Sequence, residues 1–385
     1  MTAQNLVATL DPHQGDAESE AAPPPPPARP DVSVVMSTYN RADLVGEAIE
    51  SVLGQAEGSP EFELIVVDNN STDRTREVVG EMVPRSGGRL RYVFEERQGL
   101  SHGRNAGIAH ARAPIVAFTD DDVRVAHDWV AAIKRAFDEH PDVDFVGGKV
   151  LPRWPTAPPD WLADARCAPL ALTDHGDEPF VVDRSRPLCL VGASLAVRRD
   201  VFDRVGLFDP AFQHPEGSVS SIEDNDFELR VWRAGGKGLY VPSMVATADV
   251  QPNRLTKSYF RKWHSDYGAL SAGLLRPGEM YDHDGALVAV PPDAVTVFGS
   301  PPWLYRAALR EALAVAGAIV RRHESDALAR EGMLRQQAAG LAVNFARFRA
   351  RPGRSYLREV GSAVRALFGG GRPRRAAEGS VARPS

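Results

Sequence analysis

Four runs of aliphatic and β-branched residues, each followed within a few positions by a segment of helical periodicity, restrict the first half of this chain to one kind of fold. "VSVVMST" (32–38) is continuous rather than alternating, as a strand buried on both faces requires. In "ADLVGEAIESVL", Val45, Ala48, Ile49, Val52 and Leu53 recur at helical spacing and form one apolar stripe. The succession repeats with strands at 62–68, 90–95 and 114–120 and helices at 73–83, 101–111 and 127–137. Such alternation with short connections predicts an α/β fold, a doubly wound, mainly parallel sheet flanked by helices.

The alternation breaks after "VDFVGGKV" (143–150). "LPRWPTAPPDWL" reads as a loop, "LCLVGASLAV" (188–197) as a strand, and "SIEDNDFELRVWRAGG" as a helix closed by Gly235. "KGLYV" and "MVATADV" are strand-like, and 255–274 is an amphipathic helix. "PPWLYRAALREALAVAGAIVRR" and the segment around 324–350 predict a C-terminal helical appendage. The chain therefore divides into a disordered Pro-rich leader (1–30), two halves of one domain (31–150 and 151–274), a helical region (275–368) and a disordered basic tail (369–385).

Composition removes several function classes. A net charge of −6 argues against a nucleic-acid partner. The two cysteines, Cys167 and Cys189, are too few for a disulfide framework or a structural zinc site and suit a reducing compartment. "MTAQNLVATL" lacks the basic start and apolar core of a secretory signal. The best candidate membrane span is interrupted by Arg306, Arg310 and Glu311. A cytoplasmic protein is expected. The C-terminal arginines, among them Arg321, Arg322, Arg347, Arg349, Arg351 and Arg354, interleave with Phe345, Phe348 and Tyr356. Two readings stand for them: peripheral contact with the anionic inner membrane face, or a solvated basic tail.

Ligands of open parallel sheets bind outside the carboxyl ends of the strands. Three polar clusters fall there: "STYNR" after the first strand, "DNNSTD" after the second and "TDDDV" after the fourth. Each also has a structural reading, with Asn70, Ser71 or Thr72 capping a helix and Asn40 occupying a left-handed turn. Asp120, Asp121 and Asp122 repel one another unless something positive binds, and Mg²⁺ or Mn²⁺ is held by one or two carboxylates plus substrate phosphate oxygens. No G-x-G-x-x-G or P-loop occurs, which disfavours dinucleotide redox chemistry and P-loop phosphoryl transfer.

With "VSVVMSTYNR", "LIVVDNNSTD", "GLSHGRNAGIAHA", "IVAFTDDDV", "VGASLAVRRDVFDRVGLFDPAF" and "EDNDFELRVWRAGG" in this order, the chain resembles the family-2 glycosyltransferases over residues 31 to about 270. That resemblance implies a GT-A fold, with 31–150 as the nucleotide-sugar-binding half and 151–274 as the acceptor-binding and catalytic half. It implies an inverting transfer from a nucleotide-sugar donor to an acceptor hydroxyl on a glycan, a lipid-linked sugar or a small molecule. Thr38, Tyr39, Asn40 and Asp68 would line the donor site, with Tyr39 stacking on the base and Asp68 hydrogen-bonding it. Arg104 and Asn105 would lie against the nucleotide or its phosphates. Asp120 and Asp122 would form the D-x-D element, Asp120 toward ribose and metal and Asp122 on the metal, with Asp121 in the variable middle position. Glu223-Asp224 would be the E-D pair, Asp224 the catalytic base. Gly192 would line the acceptor side.

The chain departs from the family in one place. Members commonly carry a histidine metal ligand shortly after the last core strand, where "ATADVQPNRLT" has Asp249; Asp249 is the expected replacement, with His264 the alternative if its helix folds back. Arg254, Lys257, Arg261 and Lys262 are candidates to neutralise the diphosphate, or form a solvated helix face. The Glu223-Asp224 pair also reads as a capped helix start, and Asp226–Arg230 as an exposed i,i+4 pair. "GASLA" approaches the G-x-S-x-G nucleophile elbow but ends in Ala196. Trp154 and Trp161 serve either an acceptor or the core. Beside glycosyl transfer stand a degenerate nucleotide- or glycan-binding module and a sugar-phosphate nucleotidyltransferase, the latter lacking its Gly-rich loop. The oligomeric state is left open.

Overall fold

The computed structural model describes residues 29–162, 168–213, 217–282, 285–290, 296–350 and 361. The predicted tail at 369–385 and nearly all of the predicted leader lie outside them, as do Arg351, Arg354 and Tyr356. In chain order the first half runs β1 (Val32–Thr38), α1 (Val45–Leu53), β2 (Phe62–Asp68), α2 (Thr75–Met82), β3 (Leu90–Phe94), α3 (Leu100–His110), β4 (Ile115–Asp120), β5 (Val123–Val125) and α4 (Trp129–Glu139). The second half follows with β6 (Phe145–Arg153), β7 (Phe180–Val182), β8 (Leu195–Arg198), α5 (Arg199–Val205), α6 (Glu223–Arg233), β9 (Gly238–Asp249) and α7 (Lys257–Leu274). A hairpin of β10 (Glu279–Tyr281) and β11 (Leu287–Ala289) leads to α8 (Pro302–Val320) and α9 (Glu324–Ala350).

The main sheet has the order β3-β2-β1-β4-β8-β6-β9-β5, with β7 beside β9. Its first four strands are parallel, as the alternation predicts. The chain leaves β1 toward β2 and β3 and then returns to its other side as β4, so the strand order reverses between β1 and β4. A crevice opens at the carboxyl ends there, where such folds bind ligands. In register, Ser37 of β1 lies beside Asp120 of β4.

Successive side chains of β1 serve two cores. Val32, Val34 and Met36 pack with Val45 and Ile49 of α1 and Trp129 and Ile133 of α4. Val35 faces the opposite layer, with Ile108 of α3, Phe202 of α5 and Phe227 of α6. This double burial is why the run is uninterrupted by polar alternation.

Two expectations for the second half change. The predicted strand 188–197 is strand only from Leu195, and Gly192–Ser194 form a single 3₁₀ turn. The reason is that side chains take its backbone donors: Leu190 N–H donates to Glu228, and Gly192 N–H to Asp224. The predicted loop at 151 begins instead as strand, because Leu151 to Arg153 pair with Thr247 to Asp249 of β9.

Candidate active site

Arg104 sits at the centre of the crevice, only 4% exposed. It arrives there because α3 lies almost on β1. A Cβ on Gly103 would strike Ser37 Oγ, and one on Gly107 would strike Val35, so two glycines one turn apart permit the contact. The guanidinium donates to Asp224 Oδ1 at 2.7 Å and Glu223 Oε1 at 3.2 Å, and lies 3.6 Å from Asp120 Oδ1. The ring of Phe208 lies beneath it, 5.4 Å from centroid to Cζ.

The second half of the chain completes this cluster. Asp224 stands in the first turn of α6, and its Oδ2 accepts from Gly192 N–H at 2.9 Å. A side chain at Gly192 would run into Arg104 and, at 2.8 Å, into both Asp224 oxygens. Glu223 and Asp224 do stand in the first turn of α6, where the helix dipole favours acids, but its leading residue, Ile222, provides no side-chain cap. Arg104 and Gly192 hold these acids instead. Asp226 and Arg230 do pair at 2.9 Å, but Asp226 is buried, not exposed.

Electrostatics follow from three carboxylates around one cation. Burial, with the Asp122 and Asp224 charges, pushes Asp120 up to about 6 against the pull of Arg104. Burial likewise raises Asp121 to about 7. Glu223 is raised by burial and the Asp224 charge, and Glu228, one turn further along α6, is raised for the same two causes. Asp122 is raised by burial, against the opposing charges of Arg254 and Arg41.

Along the β1–β2 edge, Tyr39 projects into solvent at 43% exposure. Asn40 takes the left-handed conformation at φ 51° and ties the two loops together. Its Oδ1 accepts from Thr72 N–H at 2.8 Å and its own N–H donates to Ser71 Oγ. Ser71 and Thr72 are thus loop braces, while Asp73 receives the N–H and hydroxyl of Thr75 as α2 begins. Thr38 is buried. Asp68, also buried, accepts from Ser71 N–H at 2.9 Å and Tyr92 O–H at 2.7 Å.

Several candidates are placed differently from expectation. Asn105 is not free to meet a nucleotide, because its amide donates to and accepts from the Phe208 backbone. Asp249 gives one oxygen to Arg153 and the other to both Arg153 at 2.8 Å and Arg124 at 3.3 Å, which also hold Glu47. That four-membered ion network holds its carboxylate, while its N–H donates to the Asp122 carbonyl and its charge acts on Asp122. His264 is buried between α7 and α9, its Nδ1 2.8 Å from Gln336 Nε2, so it does not replace the missing histidine. Lys257, Arg261 and Lys262 pair with Glu324, Glu331 and Asp266. Arg254, by contrast, opposes the charge of Asp120 and Asp122. Ser194 is buried, accepting from Trp129 Nε1, which disposes of the hydrolase reading. Trp154 and Trp161 both pack against the core, Trp161 edge-on to Phe260.

Sequence reasoning missed Arg41, although it closes the quoted "STYNR", and it missed the joint dependence of Asp120 and Asp224 on Arg104. Among the described residues no group of three or more His, Cys, Asp or Glu side chains is arranged to hold a metal. A divalent ion here fits only as a partner of Asp120 and Asp122 whose remaining ligands come from a substrate.

Residues 33–206 match the family model described as "Glycosyl transferase family 2". The chain carries a family-2 glycosyltransferase domain. This domain contributes Arg104, the three aspartates and Gly192, while Glu223 and Asp224 lie just beyond the matched residues. It is 29% identical over 182 residues to a glucosyl-dolichyl phosphate glucuronosyltransferase of Haloferax volcanii, covering 46% of this chain and 56% of that one. It is 38% identical over 109 residues to a validoxylamine A glucosyltransferase of Streptomyces hygroscopicus, covering 28% and 25%. The chain thus spans from a quarter to somewhat over half of these relatives' length. Its fold is shared with a mannosyltransferase from Pyrobaculum calidifontis solved with GDP-Man and Mn²⁺, at TM-score 0.52, 22% identity and 90% coverage of both chains.

Proposed function

We propose that this chain is an inverting glycosyltransferase that moves a sugar from a nucleoside-diphosphate sugar to an acceptor hydroxyl. One observation carries the reading: Asp120, at the strand-order reversal, and Asp224, on the opposite half, lie against the same arginine. A donor held on one side and an acceptor on the other need acids so arranged. Tyr39 would stack on the base, Asp68 would hydrogen-bond it, and Asp120 would take the ribose. Mg²⁺ or Mn²⁺, held by Asp120 and Asp122 with diphosphate oxygens, would supply Lewis-acid stabilisation of the leaving group. Arg41 and Arg254, whose charges act on Asp122, would meet the same negative charge.

On the acceptor side, near Gly192, the hydroxyl oxygen attacks the anomeric carbon as the bond to the diphosphate breaks. Asp224 accepts the hydroxyl proton, and attack opposite the leaving group inverts the centre. Arg104 and Gly192 N–H orient that carboxylate.

A second reading, a nucleotide- or glycan-binding module without turnover, draws on one observation: both Asp224 oxygens are already engaged by this chain. Purified protein with Mn²⁺, a panel of nucleotide sugars and acceptors separates the two. Transfer predicts release of a nucleoside diphosphate, lost by about 10²–10⁴-fold in Asp224→Asn with nucleotide affinity retained. Nucleotide binding without release from any donor, and without enhancement by Mn²⁺, supports the second reading.

A further inference from the structure

Charge is segregated along this chain. Residues 302–385 carry sixteen arginines against six acids, a net +10, which leaves −16 for residues 1–301. Helix α8 begins that basic region, and it is only half covered. Ala307 and Ala318 are buried, and the helix packs on α9. On its other side Leu309, Leu313, Ile319 and Val320 are 58%, 67%, 63% and 83% exposed. Leu309, Leu313, Ala316 and Val320 follow one another at steps of four, three and four, which aligns them as one ridge along the helix. Exposed Arg310 stands beside the ridge, and exposed Arg321 and Arg322 stand at its end.

Where the ridge ends, a pocket of about 300 Å³ opens at the α8–α9 turn. Trp161, Arg321, Arg322 and His323 line it, with Asp160 and Glu324. Glu324 is paired with Lys257 and Arg321 lies 3.9 Å from Asp326, while both Arg321 and Arg322 stay exposed. An apolar ridge with arginines at its side and an arginine-lined pocket at its end matches the chemistry of a bilayer surface, acyl chains below and anionic phosphates above.

We infer that α8 docks this protein on an anionic lipid surface, lying in the interface with its Leu309–Val320 ridge inserted and Arg321 and Arg322 on lipid phosphates. Helix α8 would lie on the membrane; among the described residues no helix is long and apolar enough to span. Two other occupants meet like charge. A second copy would bring its own Arg310, Arg321 and Arg322 onto these, and residues 351–385 carry a net +6. The inference does not rest on glycosyl transfer, and its test does not read activity.

The test is co-sedimentation of the full chain with vesicles of phosphatidylcholine alone or with about 30% phosphatidylglycerol (the anionic fraction being a typical choice for polybasic surfaces). The protein is expected to pellet with the anionic vesicles and far less with the neutral ones. The double variant Leu309→Ser/Leu313→Ser should lower the partition coefficient at least about tenfold, because two exposed leucines lose their burial in lipid. Arg321→Gln/Arg322→Gln should weaken binding chiefly at low salt. Both sets are surface changes, and unaltered melting temperatures confirm that each variant is folded. No pelleting with anionic vesicles, equal pelleting of wild type and the leucine variant, or a solution dimer that Leu313→Ser dissociates would each overturn the inference.

Discussion

Arg104 and Asp224 lie 120 positions apart in the chain and 2.7 Å apart in the fold. The contact joins the two halves of the domain at the crevice, and Glu223 and Asp120 share the same guanidinium. A buried arginine serving three carboxylates is costly to desolvate, yet far costlier to remove, because the acids are then left uncompensated.

Replacement of Arg104 is therefore expected to destabilise the fold as well as the site. Arg104→Met should cost about 3–5 kcal/mol in urea unfolding, the range for breaking a buried pair from one side. Arg104→Lys should recover part of that stability, because its charge is retained while the forked geometry toward Asp224 and Glu223 is lost. A melting temperature within a degree of wild type for Arg104→Met would show that the acids do not need it.

Gly192 has no room for a side chain beside Arg104 and Asp224. Gly192→Ala should displace the Asp224 carboxylate and cost about 1–3 kcal/mol of stability from overpacking. If Asp224 is the base, turnover should fall more steeply than nucleotide affinity. Comparing kcat with the calorimetric Kd of the nucleoside diphosphate checks this, and parallel losses in both would count against Asp224 as the group displaced.

Asp249 should behave as a structural residue. Its carboxylate is held by Arg153 and Arg124, so Asp249→Ala is expected to cost about 1 kcal/mol, the scale of a partly exposed ion pair. The Mn²⁺ concentration giving half-maximal activity should stay the same. A shift of tenfold or more in that concentration would restore Asp249 as a metal ligand.

Acid should weaken the fold through Glu63. Burial alone would raise this carboxyl, but the Ser33 hydroxyl, the Arg112 N–H and the Arg91 and Arg112 guanidinium groups outweigh it and hold it below its ordinary 4.5. A depressed folded value means that the stabilisation is fully present above about 4.5 and is lost as pH falls through the lower folded value. Glu63→Gln should cost about 2 kcal/mol at pH 7, and the gap to wild type should close at still lower pH. Urea midpoints measured from pH 7 down to 3 test it, and a constant gap would exclude Glu63.

Much of the first half was legible because its signals are local. A strand buried on both faces must be continuously apolar, so "VSVVMST" and "FELIVVD" announce themselves, and their polar successors mark the ligand-binding edge. Asn40 was readable as a left-handed turn for the same reason, since its short polar side chain tolerates a positive φ. The second half was less legible. Strand β8 enters antiparallel between β4 and β6, a pairing that no neighbouring residue encodes. The turn at Gly192–Ser194 depends on Asp224 and Glu228, which take backbone donors from more than thirty positions away.

The amino-acid order alone determined the alternation of elements, the edge on which polar residues gather and the resemblance carried by six motifs, because periodicity and turn chemistry act over a few residues. Only the tertiary structure decided which charges meet. It turned the Asp249 carboxylate toward two arginines, tied Asn105 to the backbone of Phe208, and set Asp120 and Asp224 on Arg104. Coulomb interactions depend on separation in space and on burial, and neither quantity exists until the chain has closed on itself.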